Sequence, residues 1–156
     1  MVGILFDTNI YGKFVEERDF ELVDKLENDR KNGNLIIHNF KVIRDELRKA
    51  KRLLSIYDKL VCKRMHISDN QVEKIADLYF KKYREKGGIQ KKNQNFMNDL
   101  RIIAFASIKG LNIIYSNDRK AFLSKLAQES YEEVNIKLYY RTPYFHSYDQ
   151  LKKIYL

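Results

Sequence analysis

Two aspartates follow short apolar segments, at positions where parallel sheets bind ligands. Asp7 comes directly after the run from Val2 to Phe6, and Asp118 comes shortly after the run from Asn112 to Tyr115. Such runs predict strands, and open parallel sheets bind ligands in the crevice outside the carboxyl ends of their strands. Asp is also common in turns and at helix caps, so one such residue alone would indicate little. Short polar residues that can hydrogen-bond and orient a carboxylate accompany both aspartates: Thr8, Asn9, Ser116 and Asn117.

Helical phase adds two further acids to this set. The segment from Phe40 to Cys62 carries apolar residues at steps of three and four, which predicts one helix or two helices in series. At about 100° per residue, Glu46 lies roughly 60° from the centre of that stripe, whereas Asp45 lies about 160° away and should face solvent. Asp99 lies about 90° from the stripe of a helix predicted from Phe96 to Lys109. Its place near the helix start also has a simpler explanation, because the helix dipole favours a carboxylate there.

Four acids in one cleft need a compensating charge. Asp7, Glu46, Asp99 and Asp118 would repel one another at neutral pH unless a cation or a proton were present. Carboxylates select hard cations, which makes Mg²⁺ or Mn²⁺ the expected cofactor. One or two such ions can activate a water molecule and stabilise the leaving oxygen when a phosphodiester is cut. We therefore predict that the four carboxyl groups lie close enough to share one or two metal ions.

The elements around these residues predict an α/β fold. Four apolar runs are typical of strands: Val2 to Phe6, Leu35 to His38, Leu111 to Ser116 and Val134 to Tyr140. Helical patterns separate them, and strands that alternate with helices favour a parallel sheet covered on both faces. We expect a single domain over residues 1–156, with a parallel sheet of about four to five strands sandwiched by helices.

Two helix boundaries can be predicted from capping residues. Ser68 and Gln71 have the spacing of a capping box before a helix that Gly87 and Gly88 should end. Gly110 is placed as the C-terminal stop of the helix that begins near Phe96.

The charge of the chain is concentrated in two blocks. Of a net charge of +9, residues 41 to 64 carry +6 and residues 81 to 92 carry +5, while residues 1 to 40 carry −3. Clustered basic side chains suit a polyanion such as nucleic acid, although a solvated helix face is an equal alternative. The residues that would hold nucleic-acid phosphates are Arg48, Lys49, Lys51 and Arg52, which follow Glu46 in the first block, and Lys91 and Lys92 in the second block.

Composition excludes several other classes of protein. With 44% hydrophobic residues, 11 Tyr and 9 Phe, the chain has enough apolar surface to build a core, so disorder is not expected. Its single cysteine, Cys62, cannot form an internal disulfide, which fits a reducing cytoplasm. We expect no signal peptide and no membrane association, because the first apolar run lacks a basic segment before it and no run approaches 18 apolar residues.

The ordered motifs resemble those of PIN-domain ribonucleases, in particular the VapC-type toxins and their stand-alone relatives. The matching segments are Ile4 to Asn9, Asp45 to Leu47, Asn98 to Ala106 and Ser116 to Asp118. The resemblance implies a Mg²⁺-dependent RNA endonuclease, in which Asp7, Glu46, Asp99 and Asp118 form the acidic site and Asn9 and Ser116 orient those acids. It also implies RNA as the substrate and a small antitoxin protein as a partner.

The chain departs from this family in two places. The family often has Thr where Ser116 stands, and an aromatic residue that usually comes soon after the last acid is here Phe122, four residues on. An aromatic-rich C-terminal tail from about Tyr139 to Leu156 is longer than a minimal member requires, and it should cover the core or form a homodimer interface rather than stack on RNA.

Two other functions compete with the nuclease. One is an RNA-binding PIN-like module without catalysis. The other, less favoured, is a phosphatase of the haloacid dehalogenase type, which also opens with a strand-end Asp. That enzyme needs a second Asp two residues later to transfer the proton, and here the position is Asn9.

Overall fold

The structure is a computed structural model that describes all 156 residues. In chain order its elements are β1 (Val2–Phe6), α1 (Thr8–Glu16), α2 (Phe20–Lys31), β2 (Leu35–Ile37), β3 (Asn39–Phe40), α3 (Lys41–Leu47), α4 (Lys51–Leu60), β4 (Met65–His66), α5 (Asn70–Glu85), α6 (Gln94–Lys109), β5 (Ile113–Tyr115), α7 (Lys125–Leu138), β6 (Tyr144–His146) and α8 (Tyr148–Tyr155). None of the eight helices is long and apolar enough to cross a membrane.

A four-stranded parallel sheet in the order β2-β1-β5-β6 forms the centre of the fold. Ile4 of β1 is in register with Ile37 on one side and with Ile113 on the other. Because every strand points the same way, the carboxyl ends of β1 and β5 lie side by side at one edge of the sheet. A separate two-stranded parallel pair, β3 with β4, lies outside this sheet. The predicted α/β class, with a parallel sheet flanked by helices, is confirmed.

The helices pack in two groups around the sheet. In one group α2 packs against α1, α4 and α8, in the other α5 packs against α6 and α7, and α3 contacts members of both groups. Forty buried hydrophobic residues from both groups and the sheet form one core cluster. Phe6 at the end of β1 packs its ring edge-on against Tyr11 and Phe14, with centroids 5.9 and 5.8 Å away. This aromatic packing anchors the strand end that precedes Asp7.

The fourth predicted strand is wrong. Residues 134–138 end α7, and its C-cap Tyr139, which adopts a left-handed conformation with φ of 61°, is followed by Tyr140 outside any element. The alternating apolar residues Val134, Ile136 and Leu138 are typical of a strand, but only Val134 is buried. Asn135 is fully buried instead, because its side chain binds other polar groups of the core. The fourth strand is β6, which lies within the segment that we assigned to the aromatic tail.

The helix boundaries differ from the predictions in detail. The capping box at Ser68 does not form. The N-cap of α5 is the next residue, Asp69, which accepts a 3.0 Å hydrogen bond from the backbone N–H of Val72. The segment from Phe40 to Cys62 forms two helices in series, α3 and α4. Gly110 ends α6 with φ of 66°, as predicted.

Candidate active site

Asp7 lies at the centre of a polar cluster at the carboxyl edge of the sheet. Its backbone N–H donates to the carbonyl of Tyr115, which joins the ends of β1 and β5. One carboxylate oxygen, Oδ1, accepts from the N–H of Thr8 at 2.8 Å, so Asp7 is also the N-cap of α1. The other oxygen, Oδ2, accepts from Ser116 Oγ at 2.8 Å and from Asn9 Nδ2 at 3.1 Å. With only 4% of its surface exposed, Asp7 is held in a single orientation by three donors.

Ser116 and Asn9 connect Asp7 to the loop that carries Asp118. The hydroxyl oxygen of Ser116 accepts a 3.0 Å hydrogen bond from the N–H of Asp118 while it donates to Asp7. Asn9 Oδ1 accepts from the N–H of Asn117 at 3.1 Å. Asn117 in turn accepts, through Oδ1, from the N–H of Tyr148 at the start of α8. The polar residues next to the strand-end aspartates therefore hold the two acidic loops together.

Glu46 and Asp45 face different surroundings on α3. The hydroxyl of Thr8 donates to Glu46 Oε1 at 3.1 Å, which brings Glu46 next to the Asp7 loop. Burial of this carboxyl group raises the pKa of Glu46, although the hydrogen bond from Thr8 opposes the shift. Asp45 forms no hydrogen bond with the Asp7 loop; its side chain is 41% exposed and pairs with Lys41 at 2.7 Å and Arg48 at 3.2 Å. Both residues are exposed, so the predicted exposure of Asp45 is confirmed, and the two differ in their partners, since only Glu46 contacts the Asp7 loop.

Asp99 extends from α6 toward the other acids. Burial raises its pKa to about 9, with further contributions from the charges of Asp7 and Asp118, a hydrogen bond with Asp118 and the charge of Glu46. Because α6 begins at Gln94, Asp99 lies in its second turn and not in its first. The helix dipole therefore explains this carboxylate less well than we expected from the sequence, since its effect is confined to the first turn.

The four acids have no cationic partner in the chain. None of them forms an ion pair with Lys, Arg or His. Burial raises the pKa of Asp7 to about 7; the hydrogen bonds from Ser116 and Thr8 oppose this shift, and the charges of Glu46 and Asp118 add to it. Both Asp7 and Asp99 therefore bind protons far more tightly than ordinary aspartates, because negative charge accumulates in a buried place without compensation.

The carboxylate oxygens of these acids are chemically suited to bind a hard divalent cation, although they do not form a closed cage around one. Carboxylate oxygens without cationic partners are suitable ligands for Mg²⁺ or Mn²⁺. As the side chains stand, no three Asp, Glu, His or Cys residues are arranged to hold one metal ion. Mg²⁺ commonly binds proteins through one or two carboxylates and keeps several of its water molecules, so it does not require such a cage.

The six basic residues that we assigned to RNA differ in their contacts. Arg48 pairs with Asp45, and Arg52 stacks its guanidinium 5.5 Å from the centre of the Phe20 ring. Lys49 lines a groove beside Glu46. Three more complete the set: Lys51 and Lys91 are exposed, and Lys92 pairs with Asp77 at 3.3 Å. Half of the set is thus engaged within the chain, and RNA binding by these residues remains a prediction.

A polar cluster that the sequence analysis missed lies next to the acids. Arg101 on α6 binds Glu73 on α5 through Nε, at 3.0 and 2.8 Å from its two oxygens, and binds Asn98 through Nη1 at 2.8 Å. Glu73 also accepts a short hydrogen bond from Ser68. The spacing of Asn98 and Arg101 places them one turn apart on a helix, but their partner on α5 is 28 residues away and no local pattern indicates it.

Comparison with known proteins shows the fold and not a family. No protein-family model matches the chain, and no curated protein matches it. Among solved structures, it is similar to VapBC2 from Rickettsia felis bound to a DNA fragment from their promoter, with a TM-score of 0.59 and 15% sequence identity. The match covers 94% of this chain and 98% of that chain. At this identity, the likeness shows a shared α/β fold over nearly the whole length of both chains.

Proposed function

We propose that this protein is a metal-dependent endoribonuclease that hydrolyses phosphodiester bonds of RNA, with Asp7, Glu46, Asp99 and Asp118 as its acidic site. The proposal depends mainly on one observation: the buried Asp7 and the partly buried Asp99, with pKa values raised to about 7 and about 9, lie together without cationic partners at the carboxyl edge of a parallel sheet. A site with this excess of negative charge is suited to a divalent cation and would repel a phosphodiester without one.

Each residue has a distinct role in this proposal. Asp7 is the most rigidly held acid, because three donors fix both of its oxygens, and it would be the principal ligand. Glu46 would complete the ligand set from the α3 side, and Asp99 and Asp118 from the opposite side. Bound Mg²⁺ or Mn²⁺ would supply an activated water and stabilise the leaving oxygen. Thr8, Asn9, Ser116 and Asn117 would preserve the orientation of the acids.

The likeness to a chain of the VapBC2 complex supports a toxin of a toxin-antitoxin pair. That complex was crystallised with a promoter DNA fragment, and this chain covers 98% of the matched chain. We therefore propose a small antitoxin protein as a partner of this chain, in addition to RNA. The exposed basic surface around Lys49 and Lys51 is suited to bind either RNA or an acidic segment of an antitoxin.

The structure favours the nuclease over a phosphatase of the haloacid dehalogenase type. Asn9 occupies the position where such an enzyme needs a second Asp. Its amide donates to Asp7 and Ser116, and its carbonyl oxygen accepts from Asn117. The whole side chain is used in hydrogen bonds that support the cluster, and an amide cannot act as a general acid or base near neutral pH.

Cleavage of single-stranded RNA by the full chain tests the proposal. We expect cleavage with Mg²⁺ or Mn²⁺ and none with EDTA. Asp7→Asn and Glu46→Gln should abolish it, because each removes a ligand charge without changing side-chain volume. Asp45→Asn is the matched control, one residue away on the same helix, and should cut normally. An Asp7→Asn protein as active as the parent would contradict the proposal, and RNA binding without any cutting would favour the non-catalytic module.

A further inference from the structure

A polar groove passes Glu46 and continues away from the acids between α3, α5 and α6. Its volume is about 590 Å³, and Val42 is the one hydrophobic residue among the ten that line it. That volume lies within the range of about 300–1,000 Å³ in which proteins bind small ligands. A second groove of about 200 Å³ contains Asp99 and Asp118. Asn95 lines both grooves, so the two grooves lie next to each other, one beside Glu46 and the other beside Asp99 and Asp118.

A fixed hydrogen-bonding surface lies in the larger groove. Arg101 is held through Nε by both oxygens of Glu73 and through Nη1 by Asn98, and only 17% of its side chain is exposed. Burial acts to raise the pKa of Glu73, but hydrogen bonds from Arg101 and Ser68 outweigh it and the pKa is lowered. Glu73 therefore stays ionised at neutral pH, and the guanidinium plane of Arg101 keeps one orientation.

The charges in this groove favour a nucleobase over a phosphate group. Glu73 neutralises Arg101, and Asp45 is neutralised by Lys41 and Arg48. The other two charges in the groove, Glu46 and Lys49, are of opposite sign, so the groove has no excess positive charge to attract a phosphate. Two donor groups make no hydrogen bond within the chain, namely Nη2 of Arg101 and the amide nitrogen of Asn98. A planar guanidinium with a free N–H can stack on an unpaired base or bond to its edge, which is how proteins read single-stranded RNA.

We propose that this groove binds one unpaired nucleobase beside the bond that is cut, and that Arg101, held in place by Glu73, selects that base. The inference builds on the proposed ribonuclease function and extends it to substrate choice. Arg101 is a specificity residue in this scheme and takes no part in the chemistry at the acids. Without Glu73, its long side chain would lose the orientation that the selection requires.

Cleavage-site mapping on a random-sequence single-stranded RNA tests the inference. With Mg²⁺, the parent chain should prefer one base at one position beside the cut. Arg101→Gln should lose this preference and raise KM about 10-fold or more, the loss expected for one charged hydrogen bond, with a smaller change in kcat. The matched control is Arg44→Gln, which breaks a similar double hydrogen bond to Asp58 outside the groove. An unchanged preference in Arg101→Gln, or no preference in the parent, would overturn the inference.

Binding measurements separate this inference from the nuclease itself. In EDTA, the anisotropy of four labelled oligoribonucleotides, each built from one base, should show tighter binding of one of them, and Arg101→Gln should abolish the difference. This result would support the groove even if Mg²⁺ produced no cleavage. If a thermal melt shows that Arg101→Gln does not fold, Glu73→Gln serves instead. Its amide keeps one acceptor for Arg101, so this variant should discriminate less between the four oligoribonucleotides. Full discrimination by Glu73→Gln would refute the role of the Arg101–Glu73 pair.

Discussion

Replacement of Asp7 by Asn should stabilise the metal-free protein above neutral pH and destabilise it in acid. The pKa of Asp7 rises from an ordinary value of 3.8 to about 7 in the folded state. The unfolded chain therefore holds fewer protons than the folded chain across this window, so the stability of the parent falls as pH rises through it. Over about 3 pH units at ~1.36 kcal/mol each, ionisation of Asp7 costs about 4 kcal/mol above pH ~7.

The amide removes this cost but introduces another. Asp7 Oδ2 accepts hydrogen bonds from Ser116 and Asn9, and an amide nitrogen at that place cannot accept either of them. Loss of such buried hydrogen bonds costs roughly 1–3 kcal/mol at any pH. Asp7→Asn should therefore stabilise the fold by about 1–3 kcal/mol near pH ~8 and destabilise it by about 1–3 kcal/mol near pH ~4, where the parent carboxyl group is protonated when folded.

Urea unfolding in EDTA at several pH values measures this change of sign. The slope of the free energy of unfolding against urea should be the same for parent and variant, so that differences in midpoint report stability. Asp45→Asn provides the control, because Asp45 is exposed and its replacement should change stability little at any pH. A destabilisation by Asp7→Asn of the same size at every pH would refute the argument that an uncompensated buried charge is present at Asp7.

Three further outcomes are expected. Binding of Mg²⁺ should tighten as pH rises from about 6 to about 9, because the raised pKa values of Asp7 and Asp99 mean that a cation must displace protons. Calorimetry in buffers of different ionisation enthalpy would detect the released protons, and a Mg²⁺ affinity independent of pH would exclude the acids as ligands. Changing Lys51 and Arg52 together to Ala should weaken binding of different RNA sequences alike. The slope of log affinity against log salt concentration should become shallower by about 0.7 for each RNA phosphate that the variant no longer neutralises. Identical salt slopes for parent and variant would exclude this surface as an RNA-binding site. Tyr79→Phe removes a hydroxyl that donates to Asn135 in the core, and it should lower the free energy of unfolding by about 1–3 kcal/mol without changing Mg²⁺ affinity; a change in affinity would mean that this network reaches the site.

Several features of the site could be predicted because they depend on local sequence. Asp7 and its neighbours Thr8 and Asn9 follow the end of a strand, and in a parallel sheet a strand end defines both the edge of the sheet and the direction of the chain. The difference between Glu46 and Asp45 depends only on helical phase, which places adjacent residues about 100° apart. The C-terminal stop at Gly110 depends on the backbone freedom of a single residue.

Other features depend on contacts between distant segments, which no local pattern contains. Residues 134–140 show the apolar alternation of a strand but end a helix, because Asn135 is buried through hydrogen bonds to Tyr79 and Ser107. The edge strand β6 exists because β5 offers it a partner. The pKa values of the acids likewise require burial by helices that approach from different parts of the chain. Only the tertiary structure brings Arg101 to Glu73, since two side chains 28 residues apart share a groove only when α5 and α6 pack against each other.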